Sequence, residues 1–454
     1  MLIRIIRVIR VQKNNLMLYY STNKQESGVS LKDVVIKGLA DDKGLYMPNF
    51  IPVLPDEFYR NIDTMSLQEI SFYVAGHLFG EDIPKEDLKQ IVYDTLSFDI
   101  PLVKVNDSIY SLELFHGPTL AFKDVGARFM SRMLSYFIRK EAKADDLVHV
   151  LVATSGDTGS AVANGFLGVK GIHVHVLYPK GLVSNIQESQ FTTLGQNITA
   201  LEVDGTFDDC QALVKTAFMD KGLNARMKLT SANSINIARF LPQAFYYFHA
   251  YAQLKKISQK AADNLVICVP SGNFGNITAG LVAKKMGLPV KRFIAANNRN
   301  DVFLEYLQTG KYNPRRSIPT IANAMDVGDP SNFVRVLDLY DHSHKAITAD
   351  ISGFRYTDEE IADAMRQCKT ANGYVLDPHG ACGYQALVDG LQSHETGIFL
   401  ETAHPAKFLE TVEKIIGEKI EIPQKLRAFM QGKKQSIEMS KRFEEFRGYL
   451  VGSW

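Results

Sequence analysis

The stretch 264–280, NLVICVPSGNFGNITAG, passes from an apolar run through a glycine-rich loop into the start of a helix. Leu265 to Val269 are apolar without alternation, the pattern of a strand buried on both faces. Gly272 and Gly275 let the backbone approach a ligand closely. The amides of Asn273, Phe274, Gly275 and Asn276 then gather at a helix N-terminus, where the dipole favours an anion. The loop contains neither GxGxxG nor Gly-Lys-Ser/Thr, so a single phosphate monoester suits it better than a nucleotide. The plainer reading is a tight strand-to-helix turn.

The same strand–loop–helix unit recurs on both sides. LVHVLVA (147–153), GIHVHVLYP (171–179), NITALEVDG (197–205) and VKRFIAANN (290–298) read as further strands, separated by helical stretches such as SAVANGFLG and DDCQALVKTAFMDKG. Strands alternating with helices of this length imply an α/β fold with mostly parallel sheets and helices on both faces. Ligands in such folds lie at the carboxyl ends of strands. Residues 17–97 read as a mainly helical N-terminal module, in which SLQEISFYVAGHLFG (66–80) begins with a capping serine and has Glu69 three positions on. The segment from 408 to 454 reads as helical. The expected division is therefore 1–16, 17–97, 98–407 and 408–454.

Four further segments carry chemistry. HGPTLAFKD (116–124) places Lys123 among apolar residues after a Gly-Pro turn. Desolvation there disfavours the ammonium and frees the amine for Schiff-base chemistry, whereas the plain alternative is a helix-start lysine reaching out to solvent. ATSGDTGSA (153–161) offers the hydroxyls of Thr154, Ser155 and Thr158 to a carboxylate or phosphate, and the absence of GxSxG argues against Ser155 as an acyl-enzyme nucleophile. TSANSINIARF (230–240) sets Ser234 and Asn236 before Arg239, which suits either an anion grip or a capped helix start. In LETAHPAKF (400–408), Thr402 reads either as a hydroxyl donating to a pyridine nitrogen or as a capping residue.

Bulk properties narrow the function classes. The 454 residues are 46% hydrophobic and 22% charged with a net charge of +1, so no basic field points to nucleic acid or an anionic membrane. The four cysteines are widely spaced, which argues against a disulfide scaffold or zinc site and fits a cytoplasmic location. His173 and His175 alternate on one strand without a third ligand in sight, so no metal is expected. DGTFDD (204–209) is explained by turn and helix capping. The opening MLIRIIRVIRVQKNNL, with arginines at 4, 7 and 10, makes a poor signal peptide and is expected to be a leader or disordered tail before Met17.

Taken together, ELFHGPTLAFKD (113–124), ATSGDTGSA, SANSIN (231–236), PSGNFGN (270–276), NAMDVGDPSN (323–332) and TAHPAKF (402–408) resemble, in order and spacing, the long-chain branch of the threonine synthases. That family lies within the fold-type II pyridoxal-phosphate enzymes, and the resemblance runs from Met17 to the C-terminus. It implies a two-lobed architecture and a lyase converting O-phospho-L-homoserine and water to L-threonine and phosphate, with pyridoxal 5'-phosphate as cofactor. By the same resemblance Lys123 is the Schiff-base lysine, Gly272, Asn273, Phe274, Gly275 and Asn276 cup the cofactor phosphate, and Thr402 partners the pyridine nitrogen. Asp157 stands where short-chain relatives carry Asn near the phenolic oxygen. A carboxylate there would repel a phenolate, so Asp157 is expected to turn away or share a proton. The substrate phosphate is assigned to Thr154, Ser155, Ser234, Asn236 and Arg239, with Lys180 a weaker candidate. The rival readings are a related phospholyase releasing 2-oxobutyrate and a non-catalytic binding protein on the same fold. The expected partner is a small-molecule substrate, with no nucleic acid or membrane, and the chain is expected to act as a monomer or homodimer.

Overall fold

The structure, a computed structural model, describes residues 17–141 and 147–452. The expected leader or tail at 1–16 lies outside the described residues. Strands β1 (Tyr19–Ser21) and β2 (Tyr46–Pro48) form an antiparallel ladder beside helices α1 (Leu67–Phe79) and α2 (Lys85–Thr95). Ser66 and Glu69 close a reciprocal capping box at the start of α1, as their spacing predicts.

The strands that follow are β3 (Leu102–Lys104), β4 (Ile109–Glu113), β5 (Val148–Ala153), β6 (Ile172–Pro179), β7 (Ile198–Asp204), β8 (Lys228–Ser231), β9 (Leu265–Pro270), β10 (Arg292–Asn297), β11 (Ile351–Arg355), β12 (Thr396–Glu401) and β13 (Ile437–Ser440). They make two sheets. One has the order β11-β10-β9-β12-β4-β3, parallel except at β3–β4. The other has the order β13-β7-β6-β5-β8 and is parallel throughout. Every residue of β5, β6 and β9 is buried, which is why β9 reads as an unbroken apolar run and β5 and β6 as apolar runs interrupted only by histidines.

The helices that matter for the site are α3 (Lys123–Glu141), α4 (Asp157–Phe166), α5 (Phe207–Met219), α6 (Ile237–Phe240), α7 (Ala244–Ile257), α8 (Gly275–Lys285), α9 (Pro378–Gly390) and α10 (Phe443–Gly452). Thr206 and Asp209 cap α5 reciprocally, which accounts for the DGTFDD run. The segment after 408 departs from an all-helical reading, because β13 lies within it and pairs in parallel with β7. Its only buried residue, Met439, joins the cluster formed by α5, α10 and the back of the sheet. Ile437 and Met439 alternate with Glu438 and Ser440, but four residues are too short a run to announce a strand, so this strand is recruited by the open edge of β7.

Both sheets point carboxyl ends at one place. β5 ends before Thr154, β9 ends before Ser271, and β12 ends before Thr402. The loops at these three ends share a cavity of about 510 Å³.

Candidate active site

Lys123 begins α3 and faces that cavity. The turn before it is pinned to the turn after β12: Phe122 N–H donates to Thr402 O at 2.9 Å, and His404 N–H donates to Leu120 O at 3.1 Å. Asp124 accepts from both the amide and the hydroxyl of Thr119, at 2.8 and 2.7 Å, and locks the same turn from within. Burial pushes Lys123 down to about 8. Asp157 opposes the shift, and the positive charges of Lys407 and Arg239 add to it. The amine therefore has an appreciable neutral fraction near physiological pH, which an ordinary lysine lacks and a nucleophile or base requires.

Gly272, Asn273, Phe274, Gly275 and Asn276 line the cavity together. Phe274 takes a left-handed backbone, φ 63°, which turns consecutive amides inward ahead of α8. A Cβ on Gly272 would stand 2.8 Å from Ala324 O and from Met325 Cα, so only glycine fits that crossing. Asn276 Oδ1 accepts from the hydroxyls of Tyr246 and Tyr247 at 2.6 and 2.7 Å. Its Nδ2 is buried and has no partner. A fixed, unpartnered donor beside a ring of amides is what a phosphate needs, and Lys123 supplies the amine in the same cavity. The residues present fit pyridoxal phosphate.

Ser155, Ser234, Arg239 and Thr402 also line the cavity. Arg239 is 3% exposed, and its Nε and Nη1 have no partner. Burial pushes it down to about 10 even with Asp124 nearby. A buried guanidinium without a counter-ion points to an anionic ligand. Thr154 and Asn236 correct the sequence expectation, for neither lines the cavity. Thr154 Oγ1 accepts from Gly156 N–H and Gly159 N–H at 2.9 and 2.8 Å, which shapes the loop below Ser155. Asn236 caps Ala238 N–H and donates to Val35 O and Ser231 O. Lys180 lies at the surface, paired with Glu438.

Asp157 lines the cavity as an ion-paired carboxylate, where the sequence led to one that turns away or shares a proton. Lys407 Nζ meets its Oδ1 at 2.6 Å, and Gln187 Nε2 donates to the same oxygen at 2.9 Å. Burial alone would raise this carboxyl, but the charges of Lys407 and Lys123 outweigh it and hold Asp157 well below the carboxylate range. Lys407 escaped the sequence reading, although it carries the signal that exposed Lys123: a lysine wedged among apolar residues beside a proline turn.

His379, at the start of α9, was also missed. It lines the cavity, with Nδ1 2.5 Å from Asp377 Oδ1, and its Nε2 accepts from Ala324 N–H at 3.1 Å. Arg335, fully buried, donates to Ser234 O, Ile235 O and Tyr46 O, fixing the Ser234 loop to the N-terminal module. Asn332 bridges Ser234 Oγ and Asn273 O at 3.0 Å each, so two ligand-facing loops move as one.

Comparison with known proteins follows this geometry. A family model described as pyridoxal-phosphate dependent enzyme matches residues 98–398, flanked by threonine synthase N terminus over 18–96 and threonine synthase, C-terminal over 380–449. The chain is 45% identical to a threonine synthase of Haemophilus influenzae, over 96% of this chain and 100% of that one. The crystal structure of threonine synthase from Escherichia coli superposes with a TM-score of 0.90 at 41% identity, covering 96% of this chain and 100% of that one. A pyridoxal-phosphate-bound threonine synthase from Brucella melitensis gives 0.89 at 33% identity, covering 96% and 99%.

Proposed function

Because the chain belongs to the threonine synthase family of pyridoxal-phosphate-dependent enzymes, we propose that it converts O-phospho-L-homoserine and water to L-threonine and phosphate at Lys123. One observation carries the substrate assignment. A single cavity holds Lys123 and two separate sets of anion donors, the 272–276 loop and the unpartnered Arg239. One set suits the cofactor's phosphate, which leaves the other for a phosphorylated substrate.

Lys123 would tether the cofactor, the 272–276 amides and Asn276 would hold its phosphate, and Thr402 would meet its ring nitrogen. Bound there, pyridoxal phosphate supplies an electron sink for the carbon that bears the substrate amine. Lys123 Nζ, more readily deprotonated than an ordinary lysine, accepts protons from the α and β carbons of the substrate and later returns them. Arg239 grips the phosphate ester and steadies the charge that grows as phosphate departs. Ser155 and Ser234 add hydroxyl donors to the same wall. Water then adds at the β carbon.

The same reading divides the chain at 97/98 and 407/408 and makes it a monomer or homodimer. Among the described residues no helix is long and apolar enough to cross a membrane, and the four cysteines are free and buried, which supports a cytoplasmic enzyme.

The test is a product balance from O-phosphohomoserine. Threonine equimolar with phosphate is expected. Phosphate accompanied by 2-oxobutyrate and no threonine would move the chain to the phospholyase reading, and absence of both turnover and a visible cofactor band would restore a binding protein.

A further inference from the structure

We propose that Lys407 is a positioning residue of this site: its ammonium fixes Asp157 and the turn before Lys123, and its charge keeps Lys123 able to part with a proton. The inference deepens the reading above and rests on it.

Lys407 lies in the 3-10 turn Pro405–Phe408 that follows β12. Its side chain is 0% exposed, and that of its partner Asp157 is 4% exposed. Two ions taken out of water at one spot are costly unless their geometry is exact enough to offset desolvation. Here Lys407 Nζ has two acceptors, Asp157 Oδ1 at 2.6 Å and Thr119 O at 2.8 Å. Thr119 also gives its amide and hydroxyl to Asp124, the residue after Lys123. One ammonium thus joins the N-terminus of α4, the turn into α3 and the turn after β12, three pieces that meet at Lys123.

The second role is electrostatic. The charged groups acting on Lys123 are Asp157 from α4, Lys407 from the turn after β12, and Arg239 from α6. Asp124 is engaged by Thr119, and burial pushes the neighbouring His404 down to about 4, so that imidazole is neutral. Asp157 alone would hold Lys123 as an ammonium, unable to act as a base. Lys407 saturates one oxygen of that carboxylate and opposes the Lys123 charge directly, so the cavity keeps a carboxylate without immobilising its base.

The experiment follows the visible absorbance of the cofactor-loaded full-length enzyme against pH. The Lys123 nitrogen, free or bonded to cofactor, is a cation when protonated, and its surroundings set the midpoint. Lys407→Met should raise the midpoint by about one pH unit or more, Asp157→Asn should lower it, and Lys407→Arg should stay nearer wild type than the Met variant. Midpoints unchanged in both Lys407→Met and Asp157→Asn, or shifted in the same direction, overturn the proposal, since a merely structural lysine would change thermal stability and leave the midpoint alone. If a single variant does not fold, the Lys407→Met/Asp157→Asn pair leaves no buried ion unmatched. Its midpoint should lie below wild type, because Asp157 acts on Lys123 more strongly than Lys407 does. An unchanged midpoint in the pair overturns the proposal equally. A wild-type enzyme that makes threonine alongside unshifted variants sinks this inference alone, whereas a wild type that makes none sinks the reading beneath it.

Discussion

Lys123 and Arg239 are both cations that burial disfavours, and the cavity treats them differently. Lys123 has the Asp157 carboxylate acting on it, whereas the acid nearest to Arg239 in effect, Asp124, is engaged by Thr119. Arg239 therefore keeps an unmatched charge that a ligand must satisfy. Replacing it by methionine removes a destabilising ion and a ligand grip together. Arg239→Met should raise the thermal midpoint of the cofactor-free protein while kcat/KM falls about 10–100-fold, as loss of a charged hydrogen bond implies. Lys123→Ala should abolish the visible cofactor band and lower turnover by at least about a hundredfold, the usual contribution of a positioned base. A variant that kept both would remove Lys123 from its role. At this scale the sequence marked Lys123 through its apolar setting and Arg239 through the hydroxyl and amide residues that precede it. Lys407 has a comparable local setting, but nothing local announces that a lysine 250 positions beyond Asp157 lies against it.

Among the elements, the 272–276 loop depends on a crossing as much as on its own residues. Its glycine passes within contact distance of the 324–325 backbone, so Gly272→Ala must push two backbone segments apart. The expected cost is about 1–3 kcal/mol of stability, with weaker cofactor retention measured by dialysis of the loaded enzyme. Full retention would mean that the loop does not cup the cofactor. The same loop was legible because it follows a strand buried on both faces and opens a helix, two signals that reinforce each other. Edge strands gave less. β11 (ISGFR) and β13 (IEMS) each pair along one side only; ISGFR mixes polar and apolar residues without a period, and the alternation in IEMS spans only four residues. They exist because β10 and β7 present open edges to them.

For the molecule as a whole, buried histidines set the acid limit. Burial pushes His149, His173, His249 and His404 down from 6.5 to about 4 and lowers His175 further. A depressed histidine leaves the folded state with fewer protons than the unfolded one between pH 6.5 and 4. Stability is then lost as pH falls through that window. Four carboxyls act oppositely: burial raises Asp82 and Asp326 to about 6 and raises Asp124 and Glu401 as well, so the folded state gains their protons first and stability rises as pH falls from each raised value toward the ordinary carboxyl range. The five histidines outnumber them, and thermal unfolding followed by circular dichroism should show a lower midpoint at pH 5 than at pH 7. A flat profile would contradict the burial of the histidine cluster between β5 and β6, where His149 and His175 hydrogen-bond at 3.0 Å.

The sequence by itself determined the α/β class and the order of the buried strands, and it marked the 272–276 loop, Lys123 and Arg239 as candidates for chemistry. Each of these is written in a window of about ten residues, the range over which hydrophobic period and turn chemistry act. The tertiary structure alone decided which polar groups spend their hydrogen bonds on the fold. Thr154 and Asn236 look like ligand donors in sequence, yet their capacity is used by nearby backbone. Asp157 looks like a misplaced carboxylate, yet Lys407 neutralises it from the far end of the chain. Whether a donor or a charge remains available is settled by what lies within hydrogen-bond distance, and that distance is crossed by elements far apart in sequence.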